Sequence, residues 1–167
     1  MFKLYPMRRA ERAESDVNKV KAAFSESRVL TLALCDEPFP YSVIVNYAPL
    51  ERADDLYLIF HGARAGRKYE LIKRNNAAAF SILLRSSERI KDSCSSTNCF
   101  KSICGEGRIE LLEGDEALQA LCVLMAHHGS LAEPAALMEK MRPLFLKTQT
   151  YALKVERAAL KENPLKA

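Results

Sequence analysis

The sequence predicts a mainly β domain, α+β by content, in which an antiparallel barrel is flanked by helices. Segments rich in β-forming residues follow one another with short links, which favours antiparallel pairing. The alternating strand–helix rhythm of a doubly wound parallel sheet is absent, and so is the glycine fingerprint of a dinucleotide-binding fold. A barrel also leaves few strand edges open to other chains.

Six segments carry the pattern of strands. Pro38 and Pro40 separate the first two because proline is excluded from central strands, and a turn over residues 51–55 separates the second from the third. The fourth is apolar enough to be buried on both faces. Gly105 and Gly107 in the fifth indicate a bulge or a close backbone approach. The predicted strands are residues 28–35, 41–47, 56–61, 77–84, 100–112 and 150–156.

Helical periodicity marks four further segments. In the first of them, Ser15 and Asp16 offer a later start for the helix. Residues 85–99 are polar, rich in serine and without periodicity, and we predict a long loop that is mobile or functional. Residues 161–167 are expected to be a frayed tail. The predicted helices are residues 9–25, 66–73, 115–127 and 133–141.

Length and composition fit one globular domain. A chain of 167 residues is long enough to bury the core of a single domain, and 49% hydrophobic with 28% charged residues excludes general disorder. A net charge of +4 fits a small anionic ligand at least as well as nucleic acid, and we predict no nucleic-acid partner. Neither a signal peptide nor a membrane span is recognised, so we predict a cytoplasmic protein without a membrane partner.

The five cysteines predict neither a disulfide framework nor a metal site. Their number is odd, and Cys94, Cys99 and Cys104 recur evenly, without the closely spaced ligand pair typical of zinc and iron–sulfur sites. With Cys35 and Cys122 they are interpreted as reduced thiols.

The most informative stretch for function is residues 61–68, HGARAGRK. A strand ends here, the chain turns at Gly62 and Gly66, and a helix begins with Arg67 and Lys68 at its N-terminus. Helix N-termini present unpaired N–H groups and a partial positive charge, and the two cations suit phosphate oxygens. These parts together predict a phosphate site. The plain alternative is a solvated loop tip.

For two other features, a ligand-binding role and a purely structural role are both open. Residues 41–47, YSVIVNY, carry Asn46 beside aromatic residues, and such a strand either lies against a flat ligand or belongs to an ordinary core. His61 either contacts a ligand or has a structural role. The sequence contains no catalytic triad, Cys–His pair or telling pair of carboxylates, and no catalytic residue is assigned.

Several segments, in order along the chain, resemble one known family. They are MRRAER, PYSVIVNY, LYLIFHGARAGRK, ELIKRNNAAAF and FKSICGEGRIELL. They are similar to those of NimA-type 5-nitroimidazole-resistance proteins in the pyridoxamine 5′-phosphate oxidase-like, FMN-binding split-barrel superfamily. The resemblance covers residues 7–129, and residues 56–68 are its most specific part.

The resemblance implies a six-stranded antiparallel split β-barrel of Greek-key order, forming one FMN-binding domain over residues 1–167. It also implies a homodimer with FMN in clefts formed by both subunits. Carried over by position, Gly66, Arg67 and Lys68 would hold the FMN phosphate. The other residues that the resemblance would place at the cofactor are Val43, Ile44, Val45, Asn46, His61, Ala63, Lys101 and Ser102.

Within this implied site, residues 43–46 would run along the isoalloxazine ring, and Lys101 and Ser102 would reach the cofactor from the side. Two departures from the family pattern concern these segments. Ile44 stands where the family often has proline, and Lys101 stands where it often has arginine. Lysine does not make the bidentate contact that arginine makes.

The leading functional hypothesis is an FMN-dependent oxidoreductase acting on a small molecule, with a nicotinamide nucleotide as a candidate electron donor. The absence of assigned acid–base residues does not exclude it, because in many flavin enzymes the cofactor carries the electrons. The alternative is a non-catalytic protein that binds flavin or haem, with His61 as the candidate axial ligand. A weaker hypothesis is nucleic-acid binding through the basic N-terminal residues.

Overall fold

Eight strands form one sheet in this protein, which the computed structural model describes over residues 1–90, 96–145 and 147–163. The strands are β1 (Lys3–Leu4), β2 (Val29–Leu34), β3 (Tyr41–Asn46), β4 (Ala48–Arg52), β5 (Asp55–Ala63), β6 (Ala77–Ile90), β7 (Ser96–Leu112) and β8 (Thr148–Asn163). The helices are α1 (Val17–Ala23), α2 (Arg67–Arg74), α3 (Gly114–His127) and α4 (Pro134–Phe145). The pairings are antiparallel except that of β1 with β8. The predicted mainly β class with flanking helices is confirmed.

The order of the strands forces the sheet to curl. It is β3-β2-β6-β7-β8-β5-β4, so β3 and β4 lie at the two ends of the sheet. A single residue, Tyr47, joins these two strands. The ends must therefore approach each other, and β3 contacts β5. Among the described residues no ladder joins β3 to β5, and the sheet stays open along this line, between β3 and residues 60–63 of β5, which we call the split.

Apolar residues that alternate along the strands fill the inside of the curled sheet. Leu32 of β2 and Phe60 of β5 are fully buried there. Phe24, which follows α1, packs on this core with its ring 6.0 Å from that of Phe80. A second buried cluster lies on the outer face under α3 and includes Ile59 of β5. β5 is therefore packed on both faces in its middle, at residues 58–60, and becomes exposed toward its end.

The predicted helix over residues 9–25 is wrong as a single element. A 3₁₀ turn spans Ala10–Arg12, and the backbone of residues 13–14 then joins β8 before α1 begins. The Asp16 side chain accepts the N–H of Asn18 and caps α1, which is the later start that the sequence offered. Pairing with β8 thus overrides the helical propensity of this segment.

β6, β7 and β8 extend further than predicted. The polar loop predicted over residues 85–99 is instead the paired continuation of β6 and β7, apart from residues 91–95, which lie outside the described residues. Residues 161–163 belong to β8 and are not a frayed tail, and residues 164–167 lie outside the described part. Much of the β6–β7 extension is polar, so no apolar alternation marks it as strand.

The strand count rises from the predicted six to eight because β1 and β4 were not foreseen. Residues 51–55 were predicted to be a turn, but the turn is confined to residues 53–54 and β4 pairs with β5 on either side of it. β4 contains Pro49, which has no N–H to donate. Proline is tolerated here because β4 is a sheet edge.

Candidate functional site

The split brings the free edges of two strands together beside the start of α2. β3 pairs with β2 on one side only. β4 pairs with β5 only as far as Ile59, so residues 60–63 have β8 as their single partner strand among the described residues. Three residues then lead into α2. Backbone N–H and C=O groups of both edges, together with the helix N-terminus, therefore border one opening.

Gly66 shapes the start of α2. Its backbone has a φ of +97° and a ψ of 172°, a combination that is essentially restricted to glycine. No atom lies within 4 Å of the position that a Cβ would take. No side chain caps the helix, so its first N–H groups face open space and are available to an anion.

Lys68 is a half-buried cation without a carboxylate partner among the described residues. Its ammonium lies over the end of β5, where it donates to the His61 carbonyl at 3.3 Å. It is 5.7 Å from the ring centroid of Phe60 and 5.8 Å from that of Tyr151. Burial lowers the pKa of Lys68. Glycine at position 62 makes room, because a Cβ there would lie 2.6 Å from the ammonium nitrogen.

Arg67 points along the other side of the loop, toward the segment between β2 and β3. Its guanidinium donates to the Asp36 carboxylate at 2.7 and 3.0 Å and lies 4.8 Å from the ring centroid of Tyr41. Arg74, two helical turns further along α2, donates to the same carboxylate at 2.9 Å. Hydrogen bonds from Arg67 and then Arg74 lower the pKa of Asp36 to about 2. Two guanidinium groups thus share one negative charge.

His61 and Ala63 lie at the exposed end of β5, on the border of the split. The pKa of His61 is lowered, first by loss of surrounding water and then by electrostatic interaction with Lys68 and His128. The imidazole is therefore held neutral near pH 7, with a ring nitrogen free to accept a hydrogen bond or to bind a metal.

The β3 residues that the resemblance implied form the opposite border. Val45 is buried, and Ile44 is 69% exposed on the outer face. Val43 contacts the core from a half-buried position and Asn46 is exposed. Since no strand covers the free edge of β3, its backbone groups are open toward the split.

Lys101 and Ser102 do not join the residues at the split. Ser102 lies in β7, paired with Leu83 and Lys161. From β3 it is three strand spacings across the sheet, roughly 14 Å. Lys101 forms an ion pair with Glu26 at 2.5 Å. In one copy of the chain, therefore, these two residues are separate from the loop that leads into α2.

The residues at the split fit a ligand that carries a phosphate. They supply an ammonium without a counter-ion among the described residues and an uncapped helix N-terminus, two features that favour the binding of phosphate oxygens. Beneath the loop, the Tyr151 hydroxyl is buried without a hydrogen-bond partner among the described residues, and burial raises its pKa to about 12. It stays protonated and can donate to a ligand or water.

Sequence reasoning missed Asp36, Arg74 and Tyr151. Arg67 and Arg74 are seven residues apart, which places them on the same face of a helix, and that spacing was the available signal. Asp36 was interpreted only as part of a proline-rich turn, and its contact with α2 is a tertiary one. Tyr151 resembled any inward-facing residue of a half-buried strand.

Two kinds of feature are absent from the described residues. None of their helices is long and apolar enough to cross a membrane. No group of three or more His, Cys, Asp or Glu side chains in this part of the chain is arranged to hold a metal ion.

Solved structures share this fold at low sequence identity. A candidate 5-nitroimidazole antibiotic resistance protein from Bacteroides thetaiotaomicron superimposes with a TM-score of 0.69 at 21% identity, over 89% of this chain and 85% of that one. An FAD and haem binding protein from Mycobacterium smegmatis superimposes with a TM-score of 0.72 at 19% identity, over 93% of this chain and 77% of that one. The flavocytochrome Anf3 from Azotobacter vinelandii superimposes with a TM-score of 0.69 at 16% identity, over 98% of this chain and 76% of that one.

These structural similarities show the fold, whereas the family is shown by a match to a family model. No curated protein matches the chain. The model of the pyridoxamine 5′-phosphate oxidase family, however, matches residues 16–162, which include β2 to β7 and all but the last residue of β8. The resemblance to NimA-type proteins of this superfamily is confirmed. This chain belongs to the pyridoxamine 5′-phosphate oxidase family.

Proposed function

We propose that this protein binds FMN at the split, with the phosphate at the start of α2. The observation that carries the proposal is Lys68, a half-buried ammonium that has no counter-ion in the described structure and lies beside an uncapped helix N-terminus. A phosphate monoester supplies the missing negative charge. Two structural neighbours are described as binding FAD with haem or as a flavocytochrome, which supports a flavin in this fold.

In this proposal each border of the split has a separate task. Gly66 leaves room for the phosphate, Lys68 neutralises it, and the first N–H groups of α2 donate to it. The free edge of β3, residues 43–46, offers backbone donors and acceptors to the ring. FMN supplies hydride and electron transfer when it is bound.

We further infer an oxidoreductase that acts on a small molecule, with a nicotinamide nucleotide as electron donor. The support is the family assignment together with the chemistry that a flavin brings. A steady-state assay with NADH or NADPH and a nitro-aromatic acceptor tests it. Turnover that requires bound flavin supports an oxidoreductase, whereas flavin binding without turnover with either donor favours a pure binding protein.

The proposed assembly is a homodimer in the cytoplasm. Val29, Ile44 and Leu83 are exposed by 43%, 69% and 65% on the outer faces of β2, β3 and β6. An apolar face of this kind is typical of a protein interface. A second copy packed there would also provide a β7 with Lys101 and Ser102, which one copy does not bring to its own split.

The identity of the cofactor is tested most simply on the purified protein. Native mass spectrometry and the visible absorption spectrum distinguish FMN, FAD and haem by mass and by bands. FMN bound one per chain, either co-purified or added, is the expected result. Binding of FAD alone would move the proposal to a dinucleotide flavin, and no binding of any flavin would overturn it.

A haem-binding protein is the second candidate, because His61 provides a neutral imidazole at the split. Solved structures with this fold include a haem-binding protein from Mycobacterium smegmatis. The candidate predicts that added haem shows a shifted and sharpened Soret band relative to free haem, and that this shift is lost in the variant His61→Ala. A shift that survives this substitution would exclude His61 as the ligand.

A further inference from the structure

Four cations surround a cleft that is separate from the split. Arg8, Arg9, Arg12 and Lys161 line it together with Met7, and its volume is about 350 Å³. Such a volume lies at the small end of the range for small-molecule sites. Along β8, Lys161 is eleven residues beyond Thr150, the partner of His61, which is roughly 35 Å for an extended strand.

The backbone explains why these cations meet. β1 pairs with β8 and residues 13–14 return to β8, so residues 7–12 must turn back beside the strand end that carries Lys161. The turn is 3₁₀, closed by the Arg12 N–H donating to the Arg9 carbonyl at 3.1 Å. Arg9 caps this turn and Arg12 ends it, and the side chains of both line the same cleft.

One aromatic ring holds two of the four charges in place. The guanidinium carbon of Arg12 lies 6.0 Å from the ring centroid of Phe100, and the ammonium of Lys161 lies 5.1 Å from it. Cation–π contacts at these distances fix the two side chains without neutralising them. The cluster is therefore partly preorganised and still fully charged.

The absence of counter-ions distinguishes this cluster from the rest of the basic surface. Across the described residues, cations such as Arg108 and Arg157 pair with carboxylates of neighbouring strands. Within residues 1–90, 96–145 and 147–163, no ion pair involves Arg8, Arg9, Arg12 or Lys161, and the nearby Glu14 pairs with Lys19 instead. Four like charges around one cleft repel each other, and an anion with several negative charges would relieve that repulsion.

We propose that Arg8, Arg9, Arg12 and Lys161 form a second anion site, which binds the diphosphate group of a small molecule. Arginine side chains contact phosphate oxygens through two parallel hydrogen bonds, and Arg9 and Arg12, which line the same cleft, present two such forks to it. A single carboxylate would leave three of the four charges unpaired. The site does not depend on flavin binding at the split.

Isothermal titration with inorganic pyrophosphate tests this site on the full chain. The double variant Arg9→Gln/Arg12→Gln is expected to weaken binding about tenfold or more, since charge-assisted hydrogen bonds are lost. The matched control Lys140→Gln/Arg142→Gln removes the same charge from exposed positions of α4. Lys161→Gln provides a second measurement that leaves the 3₁₀ turn intact, and it is also expected to weaken binding.

Each remaining outcome decides against the proposal. If the double variant and its control both bind pyrophosphate as tightly as the native protein does, the proposed site is wrong. If the control loses as much affinity as the double variant, the loss is a general effect of net charge. The component of pyrophosphate binding that Arg9→Gln/Arg12→Gln loses must persist in Lys68→Ala, because its loss there would assign that anion to the split. Single-stranded RNA provides a further comparison at the same salt concentration. If it binds more tightly than pyrophosphate and the double variant abolishes that binding, the cluster is a nucleic-acid surface and not a diphosphate site.

Discussion

At the scale of single residues, Asp36 balances part of the positive charge beside the loop that leads into α2. Its carboxylate holds Arg67 and Arg74 together, and its pKa of about 2 lies below the usual 3.8. A carboxyl group with a lowered pKa stabilises the fold above its usual pKa, and this contribution is lost as the pH falls toward the folded value. Lys68, by contrast, is left without such a partner, so the two cations of the loop have different roles.

The variant Asp36→Asn tests this balance. The melting temperature of the native protein is expected to exceed that of the variant at neutral pH, and the difference should close between pH 3.8 and about 2. Thermal melts across this pH range measure it. Asp54→Asn is the control, since Asp54 is exposed and has no ion pair among the described residues. A difference for Asp36→Asn that stays constant with pH would contradict the assignment.

Two buried tyrosines provide a matched pair for the hydroxyl beneath the loop. Tyr47 donates to the Phe24 carbonyl at 2.6 Å, whereas the Tyr151 hydroxyl has no partner in the described structure. Tyr47→Phe is expected to lower the free energy of unfolding by about 1 kcal/mol, and Tyr151→Phe is not expected to lower it. Urea denaturation of the ligand-free variants measures both. A loss in Tyr151→Phe equal to that in Tyr47→Phe would show that its hydroxyl is already satisfied.

α2 and the loop before it form the element on which the site depends. The sequence predicted this element within one residue at each end, because glycine, arginine and lysine stand together where a strand gives way to a helix. It did not predict the contact of α2 with Asp36, since residues distant in the chain meet only after the sheet has curled. The split itself follows from strand order, which single-strand patterns do not contain.

Gly66→Ala tests whether the conformation of this loop is required. With a φ of +97° the substitution is expected to cost about 1–3 kcal/mol of stability or to move the loop, and to weaken FMN binding. Gly114→Ala, at a φ of +57° before the body of α3, is a control that also introduces strain. FMN titrations of both variants, made well below their melting temperatures, should show weaker binding in Gly66→Ala alone. Equal affinities would place the phosphate elsewhere.

The basic N-terminal residues, Arg8, Arg9 and Arg12, lie in a different local structure from the helix that the sequence predicts. The sequence identified their charge and placed Arg9 and Arg12 three residues apart on one face of a long helix. Pairing of residues 13–14 with β8 instead limits the helical part to a 3₁₀ turn, Ala10–Arg12, and brings Lys161 beside the arginines. The resulting cluster is a property of the β8 edge and not of the segment alone.

At the scale of the whole molecule, the exposed apolar face of the sheet lies next to the split. Val29, Ile44 and Leu83 are exposed on this face, and β3, which carries Ile44, also borders the split. If two copies associate through this face, each completes the cofactor site of the other. The sequence could predict this only through the family resemblance, because exposure of single apolar residues is known only after folding.

Leu83→Glu tests the assembly. A charge at this 65% exposed position is expected to convert a dimer into a monomer of 18.8 kDa and to weaken FMN binding, since burying an unpaired charge is costly. Leu131→Glu is the control at a 98% exposed position on the segment between α3 and α4. Light scattering coupled to size-exclusion chromatography measures the mass. A native protein that is already monomeric, or a variant that stays dimeric, would contradict this interface.

The central claim, that a phosphate is held by Lys68 at the split, is tested most directly by FMN titration of Lys68→Ala beside Lys73→Ala. Both variants remove one ammonium from α2, but Lys73 is exposed near its far end. We expect Lys68→Ala to bind FMN about tenfold or more weakly with an unchanged melting temperature, and Lys73→Ala to bind it like the native protein. Equal affinity in the two variants would contradict the account.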